Sequence, residues 1–177
     1  IIKAIVFLIG AIGCSSTPEN IELVEVNEGE KEVRKHYENG QIALLGYLKD
    51  GAAVGQWKEW YSNGQLKAEY SFVNGLEQGI RSTWYSNGQL AEQGEMMYSK
   101  QEGEWKMWFE NGNQRATTSY SKGIESGERT HFYESGTKKS IASIQGGVQQ
   151  GLRVFYSENG RISQQGYFDS DLKHGPE

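Results

Sequence analysis

A glycine returns every 24 residues along this chain, at Gly40, Gly64, Gly88, Gly112, Gly136 and Gly160, without a slip. A second glycine keeps the same step at Gly55, Gly79, Gly103, Gly127, Gly151 and Gly175. A third phase holds Gly51, Gly75, Gly123 and Gly147, with Ser99 and Asp171 interrupting it. A fixed period of this length marks a repeat architecture, and it limits the chain to structures built from one supersecondary unit. The unit is read most easily from Gly55 to Phe72. Gly55-Gln56-Trp57-Lys58-Glu59-Trp60-Tyr61 is an alternating, aromatic-rich run, Asn63-Gly64 is a hairpin signal, and Leu66, Ala68, Tyr70 and Phe72 alternate again after it. Strand, turn and strand make a β-hairpin. The Asn-Gly step favours it because both residues tolerate positive φ.

Asn precedes the turn glycine at Asn39, Asn63, Asn87, Asn111 and Asn159, and Ser135 replaces it once. Aromatic residues precede the turn at Tyr37, Trp60-Tyr61, Trp84-Tyr85, Trp108-Phe109, Phe132-Tyr133 and Phe155-Tyr156. The last pair comes one place early, which predicts a local bulge there. Stretches such as Gly75-Leu76-Glu77-Gln78-Gly79 read as the turns at the other end of the strands. The expected fold is therefore all-β: an elongated antiparallel meander of about six 24-residue hairpins, in an open, single-layer, solenoid-like sheet. A dozen strands at roughly 4.8 Å spacing would extend about 50–60 Å. Glycine is 23 of 177 residues, near twice the usual ~7%, and the apolar content lies in aromatics, as such a sheet requires. One layer has no thick core, so broad side chains must cover their neighbours, and stability should be mostly nearest-neighbour.

The start of the chain reads differently. It begins without Met, which implies that a few residues precede Ile1. Lys3 precedes an apolar run from Ala4 to Gly13, too short to span a bilayer and of the length of a signal-peptide hydrophobic region. Ala11-Ile12-Gly13-Cys14-Ser15 resembles a bacterial lipobox, with Ala11 where that motif most often has Leu. The resemblance implies cleavage after residue 13 and lipidation of Cys14. An ordinary secretory signal is the alternative. Cys14 is the single cysteine, so no internal disulfide is available. Acyl chains at about 0.8 kcal/mol per buried CH2 would hold the protein on a membrane. Residues 14–33 then form the lipidated Cys and an acidic tether carrying Glu19, Glu22, Glu25, Glu28, Glu30 and Glu32. Within it, Ile21, Leu23, Val24 and Val26 are able to form one short strand. Residues 34–177 are the repeat domain.

The repeat text Trp60-Tyr61-Ser62-Asn63-Gly64-Gln65-Leu66, Trp84-Tyr85-Ser86-Asn87-Gly88-Gln89-Leu90, Trp108-Phe109-Glu110-Asn111-Gly112 and Tyr37-Glu38-Asn39-Gly40-Gln41-Ile42 resembles the MORN-repeat variants, in particular YwqK-type bacterial proteins. The resemblance covers roughly residues 34–175. It implies hairpin repeats in an open sheet, with roles in protein scaffolding, membrane association or, by label, as an antitoxin. Copies five and six depart most from the pattern.

Formal charge is −5, and removing residues 1–13 takes away Lys3 alone and leaves −6. With no basic cluster, nucleic acid is not an expected partner. The three histidines, His36, His131 and His174, differ in their place within the repeat; His36 and His131 are four copies apart and cannot meet on an elongated sheet, and no metal-ligand spacing is present. No cofactor, metal site, nucleophile triad or phosphate loop is expected. Glu59, Glu69, Glu92, Glu95 and Glu104 read as solvent-facing members of alternating strands. The candidate binding residues are aromatic: Trp57, Trp60, Tyr61, Trp84, Tyr85, Trp105, Trp108 and Phe109. Alternation predicts that Trp57 and Trp105 face one way and Trp60, Trp84 and Trp108 the other. The expected function is a non-enzymatic, lipid-anchored envelope protein, at the outer membrane, periplasm or cell surface, whose sheet binds a partner protein. The alternatives are a module for carbohydrate or choline, with cell-envelope glycan as ligand, and an antitoxin or immunity protein that binds its toxin.

Overall fold

The computed structural model of the protein describes residues 21–169 and 172–174. These form one open antiparallel sheet, and among the described residues there is no helix. Its strands are β1 (Ile21–Asn27), β2 (Glu30–His36), β3 (Ile42–Lys49), β4 (Ala52–Trp60), β5 (Leu66–Val73), β6 (Leu76–Glu77), β7 (Gly79–Trp84) and β8 (Leu90–Met97). They continue as β9 (Lys100–Trp108), β10 (Gln114–Ser121), β11 (Ile124–Glu125), β12 (Gly127–Phe132), β13 (Lys138–Gln145), β14 (Val148–Tyr156), β15 (Ile162–Asp169) and β16 (Leu172–His174). Fourteen lie side by side in chain order, and the short β6 and β11 lead into β7 and β12 while pairing with β5 and β10. At roughly 4.8 Å per strand the ribbon measures about 60 Å along its contour. The second strand of each hairpin starts at Ile42, Leu66, Leu90, Gln114, Lys138 and Ile162, so the 24-residue step persists through copies five and six.

The sheet begins earlier than residue 34. The apolar residues Ile21, Leu23, Val24 and Val26 form β1, which pairs with β2 through Leu23↔Val33 and Val24↔Glu32. The acidic stretch is thus part of a hairpin from Ile21 onward. The reason lies in Val33, which is 1% exposed and falls 24 residues before Trp57. It opens the buried row of the sheet and needs a strand on either side.

The two sets of turns differ from the expected types. In the loop Ser62-Asn63-Gly64, Gly64 N–H donates to Tyr61 C=O (2.9 Å) and Tyr61 N–H donates to Gln65 C=O (2.8 Å). Gly64 alone has positive φ (86°), and Asn63 does not. This is a three-residue loop: a type I turn, then a left-handed glycine. Asn63 serves instead through its Oδ1, which accepts Gln65 N–H at 3.0 Å. The turns with positive φ at both central residues lie on the opposite long edge. They are Asp50-Gly51, Asn74-Gly75, Tyr98-Ser99, Lys122-Gly123 and Gly146-Gly147. Ser99, which broke the glycine phase, therefore keeps the left-handed turn conformation (φ 60°).

The second glycine lies inside a strand at Gly55, Gly103 and Gly151, while Gly79 and Gly127 open β7 and β12. Leu45 pairs with Lys58 and Tyr47 with Val54, so three residues of β4, Gly55 to Trp57, lie opposite the one residue Gly46 of β3 at a bulge holding Gly55 (φ 64°). Equivalent shifts recur at Gly103 and Gly151. The Phe155/Tyr156 register shift is present too, but it is common to the repeats, as at Glu59/Trp60, Thr83/Trp84 and His131/Phe132. Copy six is not displaced; Ser157 simply stands where Tyr61 and Tyr85 stand in earlier copies.

The bulge aims Trp57 across the sheet. Its indole lies over Gly46 of β3, where an added Cβ would come 2.1 Å from Trp57 Cδ2. Trp105 lies over Gly94 in the same way, at 2.2 Å. The indole N–H groups donate to Val54 and Glu95 carbonyls, both at 3.2 Å. Around Trp57, Val33, Leu44, Ala53, Ala68 and Tyr70 form the buried cluster, with Leu48 and Phe72 against it. Phe72 meets Trp57 and Tyr70 edge-on, with centroids 5.7 and 5.6 Å apart.

Gly46→Ala has no room for its methyl and should destabilise the protein by about 2–3 kcal/mol. Gly46→Ala/Trp57→Leu should recover part of that loss relative to the sum of the single changes. Urea unfolding of the four proteins checks it; additive losses would show that the indole does not press on Gly46.

Candidate functional site

Alternation along the strands and the backbone register set out one face of the sheet. A central row runs Val33, Gly46, Trp57, Tyr70, Arg81, Gly94, Trp105, Thr118, Arg129, Ala142, Arg153 and Gly166. The phase that holds Trp57 and Trp105 holds Val33 in the first copy and arginine at Arg81, Arg129 and Arg153. Arg81 stacks on the Tyr70 ring, 5.0 Å from its centroid, and its Nη1 donates to both carboxylate oxygens of Glu77 at 3.0 Å. Arg129 Nη1 donates to Glu125 Oε2 at 3.1 Å, and Glu125 Oε1 accepts the Thr118 hydroxyl. Arg153 Nη1 donates to Gln149 Oε1 at 3.1 Å, and its guanidinium lies 4.4 Å from the Phe155 ring centroid.

Glu59 is not solvent-facing. It is buried beside Trp57, accepts the Tyr70 hydroxyl at 2.9 Å and pairs with Lys67 Nζ at 3.2 Å. Burial, the Glu59 charge and the hydrogen bond to Glu59 push the Tyr70 phenol far above its ordinary range. Glu92, half-buried on the same face, is pushed up by burial, with Arg81 and Arg115 opposing. Glu69 pairs with Lys58 at 3.1 Å, while Glu95 and Glu104 are exposed as expected. The strand pattern misleads at Glu59 and Glu92 because the buried face of a one-layer sheet admits a polar end wherever a neighbour supplies the partner.

The aromatic candidates divide into three groups. Trp57 and Trp105 are buried, Trp105 to 2% exposure. Trp60, Trp84 and Trp108 are half-buried and, three residues further on, belong to the opposite face. Tyr61 and Tyr85 are occupied otherwise. Each hydroxyl donates to a carbonyl one repeat on, Tyr61 to Trp84 and Tyr85 to Trp108, both at 2.7 Å. Tyr37 reaches Trp60 C=O at 2.6 Å and Tyr133 reaches Tyr156 C=O at 2.7 Å. The turn asparagines run parallel to them: Asn39, Asn63, Asn87 and Asn111 Nδ2 donate to the carbonyls of Ser62, Ser86, Glu110 and Glu134. Phe109 holds the tyrosine phase without a hydroxyl. There Asn113 Nδ2 adds a bond to Glu134 C=O at 2.7 Å. The turn glycines Gly40, Gly64, Gly88, Gly112, Gly136 and Gly160 all have φ between 80° and 88° and serve these turns. Cys14 and the leader fall outside the described residues.

Among the described residues no group of three His, Cys, Asp or Glu side chains could hold a metal ion. The arrangement offers two chemically distinct surfaces: a face with a buried row of tryptophan and paired arginine, and an opposite face with one half-exposed aromatic per repeat.

Three successive copies, at residues 53–74, 77–96 and 101–122, match the family described as the MORN repeat variant. Each matched segment takes in the first strand of a hairpin, its loop and the strand that follows. No curated protein matches the chain.

Phe109→Tyr should place a hydroxyl at the Phe132 carbonyl and stabilise the protein by about 0.5–1.5 kcal/mol, and Tyr85→Phe should cost a similar amount. Thermal unfolding of both variants tests this. Equal midpoints for Tyr85→Phe and the parent would mean that the hydroxyl rungs contribute nothing.

Proposed function

We propose that this is a non-enzymatic repeat protein, lipid-anchored at Cys14 outside the cytoplasm, whose sheet binds a partner protein. The observation that carries the binding reading is the division of labour among the aromatics. Trp57 and Trp105 are used up in packing, and Tyr61 and Tyr85 in stapling the turns. Trp60, Trp84 and Trp108 belong to neither set, keep part of their surface exposed, and recur at one repeat step on the face opposite the buried row. Exposed Ile80 and Leu152 share that face. Half-exposed aromatics are frequent energetic anchors in protein interfaces. The MORN-variant match supports the repeat-scaffold part of this reading.

A photo-crosslinking residue at Trp84 or Ile80 should give one adduct of defined mass in cells, and the same residue at exposed Glu110 should not. No adduct from the aromatic face, or equal adducts from all three positions, would sink the protein-binding reading. Palmitate-analogue labelling with Cys14→Ala as control tests the anchor: label and membrane retention should both disappear in the variant.

The row Trp60, Trp84 and Trp108 also favours a second reading, stacking on the sugar rings of a cell-envelope glycan. Tryptophan fluorescence that shifts with glycan, and is insensitive to Trp57→Phe, would favour it.

A further inference from the structure

Among the described residues the arginine phase meets a carboxylate in two copies and a neutral amide in the third. Four residues before each arginine stands its partner: Glu77 for Arg81, Glu125 for Arg129, and Gln149 for Arg153. The geometry of the third pair matches the other two, with Nη1 on a side-chain oxygen at 3.1 Å, but the oxygen belongs to a neutral amide. Arg153 Nε is buried and has no hydrogen-bond acceptor among the described residues. That N–H has lost water without gaining an acceptor among the described residues, which is costly.

Its surroundings add to the excess. Arg129 and Arg153 both pair with Ala142 of the strand between them, so the two guanidinium side chains rise on either side of a buried methyl group (3% exposed). Two register positions along, on the same face, His131 and Phe155 flank Ser140, itself buried. Among the described residues Glu125 is the carboxylate in the group, and it is already engaged by Arg129 and Thr118. The imbalance is reflected in the titration of the neighbours. Burial and then the charges of Arg129, Arg153 and Lys139 hold His131 below its ordinary value, with Glu125 opposing. Burial and Arg129 lower Arg153.

We propose that the shelf over Ala142, between Arg129 and Arg153 and beside His131, is a binding site for one carboxylate group supplied from outside this face. The reason for a carboxylate is internal to the repeat. Each of the other two arginines in this phase is held by one, and a planar guanidinium matches a planar carboxylate better than it matches a point anion such as chloride. The carboxylate can come from a small organic acid or from an acidic side chain of a partner protein; the recognising chemistry is shared. The site lies on the face opposite Trp84 and Ile80, so it stands independently of the protein-binding reading.

The test uses the full chain, with acetate and a capped tetraglutamate peptide as probes and chloride at matched ionic strength as control. The Arg153 Nε–H and His131 Cε1–H resonances are followed by NMR. Acetate or peptide should shift both resonances saturably, chloride should not, and His131 should titrate at higher pH when the site is filled. Gln149→Glu installs the missing carboxylate in the position that Glu77 and Glu125 occupy. It should leave the fold intact by thermal unfolding and weaken probe binding at least tenfold. Arg153→Gln should abolish it, while Arg81→Gln should not. Acetate and peptide binding with similar affinity point to a small acid, and a peptide at least tenfold tighter points to an acidic protein segment. Equal responses to chloride, or unchanged binding in a folded Gln149→Glu protein, overturn the proposal.

Discussion

In a sheet with no second layer, a broad side chain has only the neighbouring strands to hide it. Trp57 and Trp105 therefore lie down across the sheet, and the strand they cover must carry nothing there. Gly46 and Gly94 satisfy that demand, and a Cβ at either would stand little more than 2 Å from the indole. Where the large residue is arginine, the strand ahead of it carries Tyr70, Thr118 or Ala142. Tyr70 is tolerated because a flat guanidinium stacks on its ring, 5.0 Å from the centroid, instead of pressing into the backbone. Apart from Tyr70, large and small alternate along the row, and each pair closes over one strand boundary. The bulge at Gly55 and its equivalents is part of the same device, since it re-aims the residue two places later.

The repeats are joined by different forces in the middle and at the edges. Packing holds the centre. On one long edge, tyrosine hydroxyls and asparagine amides reach carbonyls one repeat on. On the other, turn N–H groups reach carbonyls one repeat back: Gly75 donates to Ala53, Ser99 to Glu77, Gly123 to Gln101 and Gly147 to Glu125. Each hairpin is thus tied to the next at three places across its width. A purely central contact would leave the hairpins free to pivot; bonds at both edges fix their relative twist. Stability summed over such interfaces is local, so a weakened junction loosens its two neighbours more than the far end.

The 24-residue period made the meander, its hairpin edges and the all-β class readable before any coordinate. Glycine positions were legible as well, but their tasks were not. Asn63-Gly64 has the letters of a tight two-residue turn, yet the loop has three residues, because the register set by Glu59↔Ala68 and Trp60↔Leu66 leaves room for Ser62. Gly55 reads as a strand boundary until the pairing shows a bulge. Tyr61 and Tyr85 looked like binding aromatics because a hydroxyl bonded one repeat away leaves no trace in the local alternation. A signal was present all the same. Tyr37, Tyr61, Tyr85 and Tyr133 hold one phase that Phe109 and Ser157 interrupt, a choice of hydroxyl that packing alone does not require. Glu59 was misjudged for a related reason: its partners, Tyr70 and Lys67, come from the next strand.

The same row changes chemistry along its length. Near the start it is Val33, Trp57 and Tyr70 in an apolar cluster; further on it is Arg129 and Arg153 with His131 beside them. Replacing tryptophan by arginine in one phase preserves the area that covers the neighbouring strand, because the aliphatic stem and flat head still lie across it. What it adds is a charge that must be met four residues earlier, by Glu77 and Glu125. A repeat array tolerates such a drift because each substitution is answered within its own junction. It follows that one geometrical row can be core at one end and a charged surface at the other without any change of fold, and that the copy in which the answering residue is neutral is the place where the surface has affinity to spare.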